Sequence, residues 1–205
     1  MTEAVIVDAV RTPGGKRNGQ FKDEHPVMMA AHVLKALQER NGLDPAMVDD
    51  VIMGCVMQVG EQSLNIGRNA VLAAGWPEEV PSTTVDRQCG SSQQSMHFAA
   101  QGVIAGAYDV VVAAGVEVMT RTPMGASVVQ GMGFPFPQEQ LDRYAETGLP
   151  PQGIGADMIA AEYGLTREDL DEFGALSQQR AAVARDEGRF ENEIIPIEVE
   201  IDGQV

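Results

Sequence analysis

Cys89 lies in the run Thr83-Thr84-Val85-Asp86-Arg87-Gln88-Cys89-Gly90-Ser91-Ser92-Gln93-Gln94, where an apolar strand pattern gives way to a helix pattern. The spacing predicts that Cys89 opens this helix, which continues to Ala105. A thiol in the first helical turn faces unpaired backbone N–H groups and the positive end of the helix dipole. Both favour thiolate over thiol, which lowers the thiol pKa and makes the sulfur a nucleophile. Gly90, Ser91 and Ser92 are small enough to let a substrate approach that turn. A sulfur so placed suits transfer of an acyl group through a covalent thioester.

An isolated cysteine in a reducing compartment is more often a small buried hydrophobe. That reading fits Cys55, which sits in Val51-Ile52-Met53-Gly54-Cys55-Val56-Met57, a pattern for a buried strand. The neighbours of Cys89 are instead small and polar. The two cysteines lie far apart with no metal-ligand spacing, so neither a disulfide framework nor a metal site is expected. His25, His32 and His97 are scattered and form no zinc or iron pattern. His97 falls eight residues beyond Cys89 on the expected helix, about 12 Å away at ~1.5 Å per residue, too far to act as its base. It reads as structural.

These residues must be positioned by a chain of 205 residues, long enough to bury a substantial core. Its net charge of −16 repels phosphate backbones and anionic lipid, so no nucleic-acid or membrane partner is expected, and solubility is the plain reading. No stretch approaches the ~20 apolar residues of a membrane span. No secretory signal pattern opens the chain, and a cytoplasmic location is the expectation.

The first half alternates strand and helix signals. Strands are expected over Glu3–Val10, Val48–Val59, Pro81–Arg87 and Asp109–Gly115. Helices are expected over Pro26–Arg40, with Asn41-Gly42 as the stop, over Asn65–Ala74, and over Cys89–Ala105. The last strand is apolar throughout, as in a parallel or mixed sheet covered by helices on both faces. Alternation at this spacing supports βαβ units. Arg121–Pro151 is irregular and rich in Gly, Pro, Met and Phe, which suits a functional loop or insertion. Helices return over Ile154–Tyr163 and from a capping box at Thr166-Arg167-Glu168-Asp169 to about Asp186. Phe190–Val205 reads as a closing strand.

In four long, ordered motifs the chain resembles the thiolases, the acyl-CoA acetyltransferase family. Val7-Asp8-Ala9-Val10-Arg11-Thr12-Pro13 with Gly15 is similar to the family's opening, and Val85 to Gln94 to its nucleophile motif, with Cys89 as the acylated cysteine. Ala114-Gly115-Val116-Glu117-Val118-Met119-Thr120 resembles the stretch that follows. Gly164 to Asp171, Ser177-Gln178-Gln179-Arg180-Ala181, Gly188-Arg189-Phe190 and Glu193 to Ile197 resemble the loop domain.

The resemblance implies an α/β fold: an αβαβα layered N-terminal domain with an inserted loop domain, without the C-terminal thiolase domain. It places the N-terminal domain at 1–119, with four strands of a five-stranded sheet and the nucleophile helix. The start of the loop domain falls at 120–205. It implies cleavage or formation of 3-ketoacyl-CoA through an acyl-cysteine, with lipid or steroid degradation as the expected setting. Coenzyme A and acyl-CoA are substrates, and no resident cofactor is implied. An anionic coenzyme A would need a local basic patch or one from another chain.

Three family motifs have no counterpart here: an Asn that holds a water, a Gly-His-Pro histidine that activates the nucleophile, and a second acid/base cysteine. Cys55 does not match the last. Where many short-chain thiolases carry His-Met-Gly, this chain has Pro151-Gln152-Gly153, closer to variants acting on bulkier or steroid acyl groups. The expectation is a second polypeptide carrying the C-terminal half, in a homo- or hetero-oligomer. It would cover apolar surface beyond the roughly few hundred Å² that a monomer tolerates. A non-catalytic interaction subunit, or an inactive truncated thiolase, is the alternative.

Overall fold

Pro26–Asn41 forms the first helix, α1, and its ends follow local chemistry. His25 Nδ1 accepts the Val27 N–H at 3.2 Å. Pro26 occupies a position that needs no donor, and Gly42 at φ 57° closes the helix in the left-handed region. These features belong to a computed structural model, which describes residues 3–199. Contacts divide the chain into two compact units, Met1–Ser127 with Glu193–Val205, and Val128–Asn192.

The first unit is built on three parallel strands, β1 (Asp50–Gly54), β2 (Ser82–Val85) and β3 (Val111–Gly115), in the order β2-β1-β3. Parallel neighbours need crossovers, supplied here by α2 (Ile66–Ala73) and α3 (Ser91–Ala105). Alternation sends Val51 and Met53 to one face of the sheet, and Ile52 and Gly54 to the other. On the first face Leu34, Val51, Met53, Ile66 and Val71 join one core with Trp76 and Val80. Gly67 of α2 lies so close to β1 and β2 that a β-carbon there would meet Ser82 Oγ and, at 2.7 Å, Met53 Cβ. On the second face α3 buries Ser91, Ser95 and Ala99.

The expected first strand, Glu3–Val10, does not form. Val5, Ile6 and Val7 are 72–83% exposed, and among the described residues the pairing nearby is a single parallel bridge from Arg11 to Ile194. A β-branched run becomes a strand only when a neighbour offers its backbone, and among the described residues none does. The sheet therefore has three strands rather than four. The expected strand at Phe190–Val205 reduces to that bridge at Ile194 within the described residues, and its end, 200–205, lies outside them. β1 is also shorter than its apolar run.

The second unit contains α4 (Gln138–Arg143), α5 (Gln152–Glu162) and α6 (Arg167–Asp186). The capping box at Thr166 is present. Thr166 Oγ1 accepts the Asp169 N–H at 3.2 Å, and Asp169 Oδ2 accepts the Thr166 N–H at 2.8 Å. No residue of 128–192 is buried. Among the described residues no helix is long and apolar enough to cross a membrane.

Candidate active site at the carboxyl ends of the strands

The register pairs Gly54 with both Val85 and Gly115, so the three strands end side by side. Two glycines at that edge admit the start of α3. A β-carbon on Gly54 would lie 2.5 Å from Ser92 N and 2.6 Å from Ser91 C, both backbone atoms. One on Gly115 would overlap Ser92 Oγ and lie 2.9 Å from Ser92 Cβ. The carboxyl edge of a parallel sheet is where open α/β folds bind ligands, and here the glycines bring a helix start directly onto it.

α3 begins at Ser91 with Gly90 as its N-cap, so Cys89 stands one residue before the cap rather than in the first turn. The Ser91 hydroxyl causes the difference. It accepts the Arg87 N–H at 3.1 Å and donates to Gln88 O at 2.8 Å, while Gly90 N donates to Arg87 O at 2.9 Å. These bonds close a tight turn ahead of the helix. Gln88 takes φ 40° within it, a left-handed conformation uncommon for a residue with a side chain. Asp86 Oδ1 accepts the Gln88 N–H at 2.7 Å and helps hold this conformation. Backbone strain of this kind persists only where surrounding contacts over-determine it, and it clusters at functional sites.

Cys89 is exposed and lines a cleft of about 340 Å³. Gly54, Ser92 and Gly115 line it from the strand edge and the helix start. Cys55, Val56 and Met57 line it from the loop after β1, and Val116, Glu117, Met119 and Met124 from the chain after β3. A wider hollow of about 570 Å³ runs along Lys22, Glu61 and Arg121, and no cysteine lines it.

Cys55 shares the cleft but is chemically unlike Cys89. It is 1% exposed, as its buried-strand pattern suggested, and burial, with the charges of Glu117 and Asp86, pushes its thiol pKa up to about 12. Such a sulfur stays protonated and a poor nucleophile. Beside it lies a polar cluster that sequence reasoning assigned no role. Gln62, fully buried, donates from Nε2 to Glu117 Oε1 at 2.6 Å and to Met57 O at 2.9 Å. The one available signal was Glu117 itself, a carboxylate two residues beyond a wholly apolar strand.

Among the described residues no histidine lines the cleft. His25 caps α1, His32 Nε2 sits 2.7 Å from Pro196 O, and His97 is exposed on α3. Among the described residues no group of three His, Cys, Asp or Glu side chains is arranged to hold a metal ion.

The fold and the cleft define a parallel α/β domain that presents a thiol at its strand ends. The thiolase N-terminal domain matches residues 4–204. The chain is 46% identical to a steroid 3-ketoacyl-CoA thiolase of Mycobacterium tuberculosis, over 98% of this chain and 50% of that protein. It is 41% identical to a 3-ketoacyl-CoA thiolase of Pseudoalteromonas translucida (97% and 50% covered) and 42% identical to one of Marinobacter nauticus (96% and 49%). The chain belongs to the thiolase family and corresponds to its N-terminal half. It spans about half the length of the curated relatives it matches.

Proposed function

We propose that this chain carries the nucleophile half of a thiolase-type acyltransferase, with Cys89 as the acylated residue. The observation that carries this reading is an exposed thiol on a strained, hydrogen-bonded turn, opening into a cleft at the carboxyl edge of the sheet. In the proposed reaction the Cys89 thiolate attacks the keto carbon of a 3-ketoacyl-CoA. The bond between that carbon and the α-carbon breaks, and its electron pair leaves with the acetyl-CoA or propionyl-CoA fragment, which takes up a proton. The acyl group stays on sulfur until the thiolate of a second coenzyme A attacks the thioester carbonyl and frees Cys89. The Cys89 N–H is the donor this chain can offer to the developing oxyanion. Among the described residues the cleft holds no histidine and Glu117 is engaged by loop amides, so the proton-handling groups come from outside the N-terminal half, from the C-terminal half of the thiolase fold. The steroid activity named for the Mycobacterium tuberculosis relative, with Pro151-Gln152-Gly153 at the start of α5, favours a bulky acyl group.

The exposed run Val5-Ile6-Val7 supports a partner that supplies a strand and covers apolar surface. The test is acyl trapping. The chain is incubated with a 3-ketoacyl-CoA, alone and with a C-terminal thiolase half, then digested and mapped by mass. We expect the acyl group on the Cys89 peptide in the assembled protein. Acyl on the Cys55 peptide, or on neither, would overturn the assignment.

A further inference from the structure

We infer that Glu117 is a positioning residue of the acyl site: through Gln62 it fixes the Cys55–Met57 loop as the wall along which the acyl chain lies. The inference rests on the assignment of Cys89 as the acylated residue. An exposed carboxylate is ordinarily satisfied by water, yet both oxygens of Glu117 turn onto the neighbouring loop. Oε2 accepts the Val56 N–H at 2.9 Å, and Oε1 accepts the Met57 N–H at 3.4 Å together with Gln62 Nε2 at 2.6 Å. Gln62 closes the circuit. Its Nε2 also reaches Met57 O at 2.9 Å and Cys55 Sγ at 3.4 Å, and its Oε1 accepts the Val118 N–H at 2.8 Å.

An amide nitrogen has two hydrogens for these three acceptors, so the sulfur contact is the weakest of them. The oxygen contacts suffice to tie the chain after β1 to the chain after β3. Charge-assisted bonds of this kind are among the stronger hydrogen bonds in proteins. The bonds hold Met57 and Val118 directly, and the apolar side of the cleft is built on and beside them. Met57, Val116, Met119 and Met124 line it, with Met57 9% exposed and Met124 79%. Unbranched thioethers adapt to chains of different shape, but only on a backbone that is itself fixed.

The test compares acylation of Cys89 by acetyl and octanoyl thioesters of N-acetylcysteamine in the assembled protein. The reaction joins Cys89 Sγ to the carbonyl carbon, breaks the thioester carbon–sulfur bond, and leaves the electron pair on the departing sulfur, which takes up the thiol proton. Relative to the parent protein, Glu117→Ala should lower the octanoyl-to-acetyl rate ratio by about tenfold, the scale of lost apolar pocket contacts. Iodoacetamide should still modify Cys89 at a rate within about twofold of the parent's, because a small reagent does not use the wall. Glu117→Gln keeps the shape and one acceptor and should lower the ratio only about threefold, and it decides the matter if Glu117→Ala does not fold. A parent-like ratio in the folded variants, or equal slowing of both thioesters together with iodoacetamide, would overturn the role of Glu117. A parent protein that takes acyl from neither thioester sinks the assignment of Cys89 instead, so the two failures are distinct.

Discussion

Gly54 and Gly174 are the same residue in opposite surroundings, and the contrast separates the two units. At Gly54 a β-carbon would meet the backbone of Ser91 and Ser92; at Gly174, inside α6, nothing lies within 4 Å. The sheet unit is held by burial, with Leu34, Val51, Ile66 and Val71 fully enclosed. Residues 128–192 have no buried side chain and rest on their own helical hydrogen bonds and caps, while Ile154, Met158, Tyr163 and Phe173 stay more than half exposed. The cleft around Cys89 is lined wholly by the first unit. Its geometry therefore belongs to the packed part of the molecule, whereas the second unit keeps large apolar side chains exposed.

One substitution made in both places gives the largest expected effect. Gly54→Ala forces backbone against backbone at the sheet edge and should destabilise by about 3 kcal/mol or more. Gly174→Ala in an open helix interior should stabilise its helix by roughly 0.5–1 kcal/mol. Denaturant midpoints for the first, and helical signal against temperature for the second, read these signs. Equal signs would dissolve the distinction. Leu34→Ala sharpens it further: removing a fully buried side chain should cost about 3 kcal/mol. Phe173→Ala, at a side chain 74% exposed, should stay within about 0.5 kcal/mol.

The same contrast explains what could be read from the residues alone. α1 was legible because Pro26 and Asn41-Gly42 punctuate it, α6 because Thr166 and Asp169 cap it, and β1 because an apolar run buried on both faces leaves a composition signature. Cys55 was legible as a buried sulfur for the same reason. The run at Glu3–Val10 misled because strand propensity describes a fit to neighbours that local sequence does not contain. The start of α3 shifted by two residues because a single hydroxyl, Ser91, binds Arg87 N and Gln88 O, a side-chain to backbone choice with no periodic trace. Gln62 and Glu117 meet 55 residues apart in sequence. No window along the chain holds both, so their pairing emerges only from the parallel register.

In the second unit a local contact should matter where burial does not. Thr166→Ala removes one half of the capping box and should cost about 1 kcal/mol of α6 stability. The Asp169 carboxyl is held below the usual carboxylate range, first by the Thr166 N–H and then by its hydroxyl. A depressed folded pKa contributes stability above the unfolded pKa, and that contribution is lost as pH falls through the folded value. Helical signal from α6 should therefore drop on acidification in the parent chain, and Thr166→Ala, which keeps the Thr166 N–H but removes the hydroxyl, should reduce that drop in part. An unchanged acid profile would mean that α6 is held by something other than its cap.

The smallest effect should come from the comparable surface contact of the first unit. Arg121 donates to Glu61 through Nε and Nη2, both at 2.5 Å, with the two side chains 28% and 34% exposed. Hydrogen bonding to Arg121 holds the Glu61 carboxyl below its ordinary range, so the pair contributes near neutral pH and fades as acid protonates Glu61. Partly solvated pairs of this kind add little, because side-chain ordering and salt screening offset the attraction. Arg121→Gln should lower the midpoint of the sheet unit slightly at neutral pH, less than Thr166→Ala disturbs α6, and about 1 M salt should erase the difference. A large, salt-resistant loss would place the strength of this unit in its surface charges, and the core could then no longer account for why Gly54 and Gly174 respond in opposite ways.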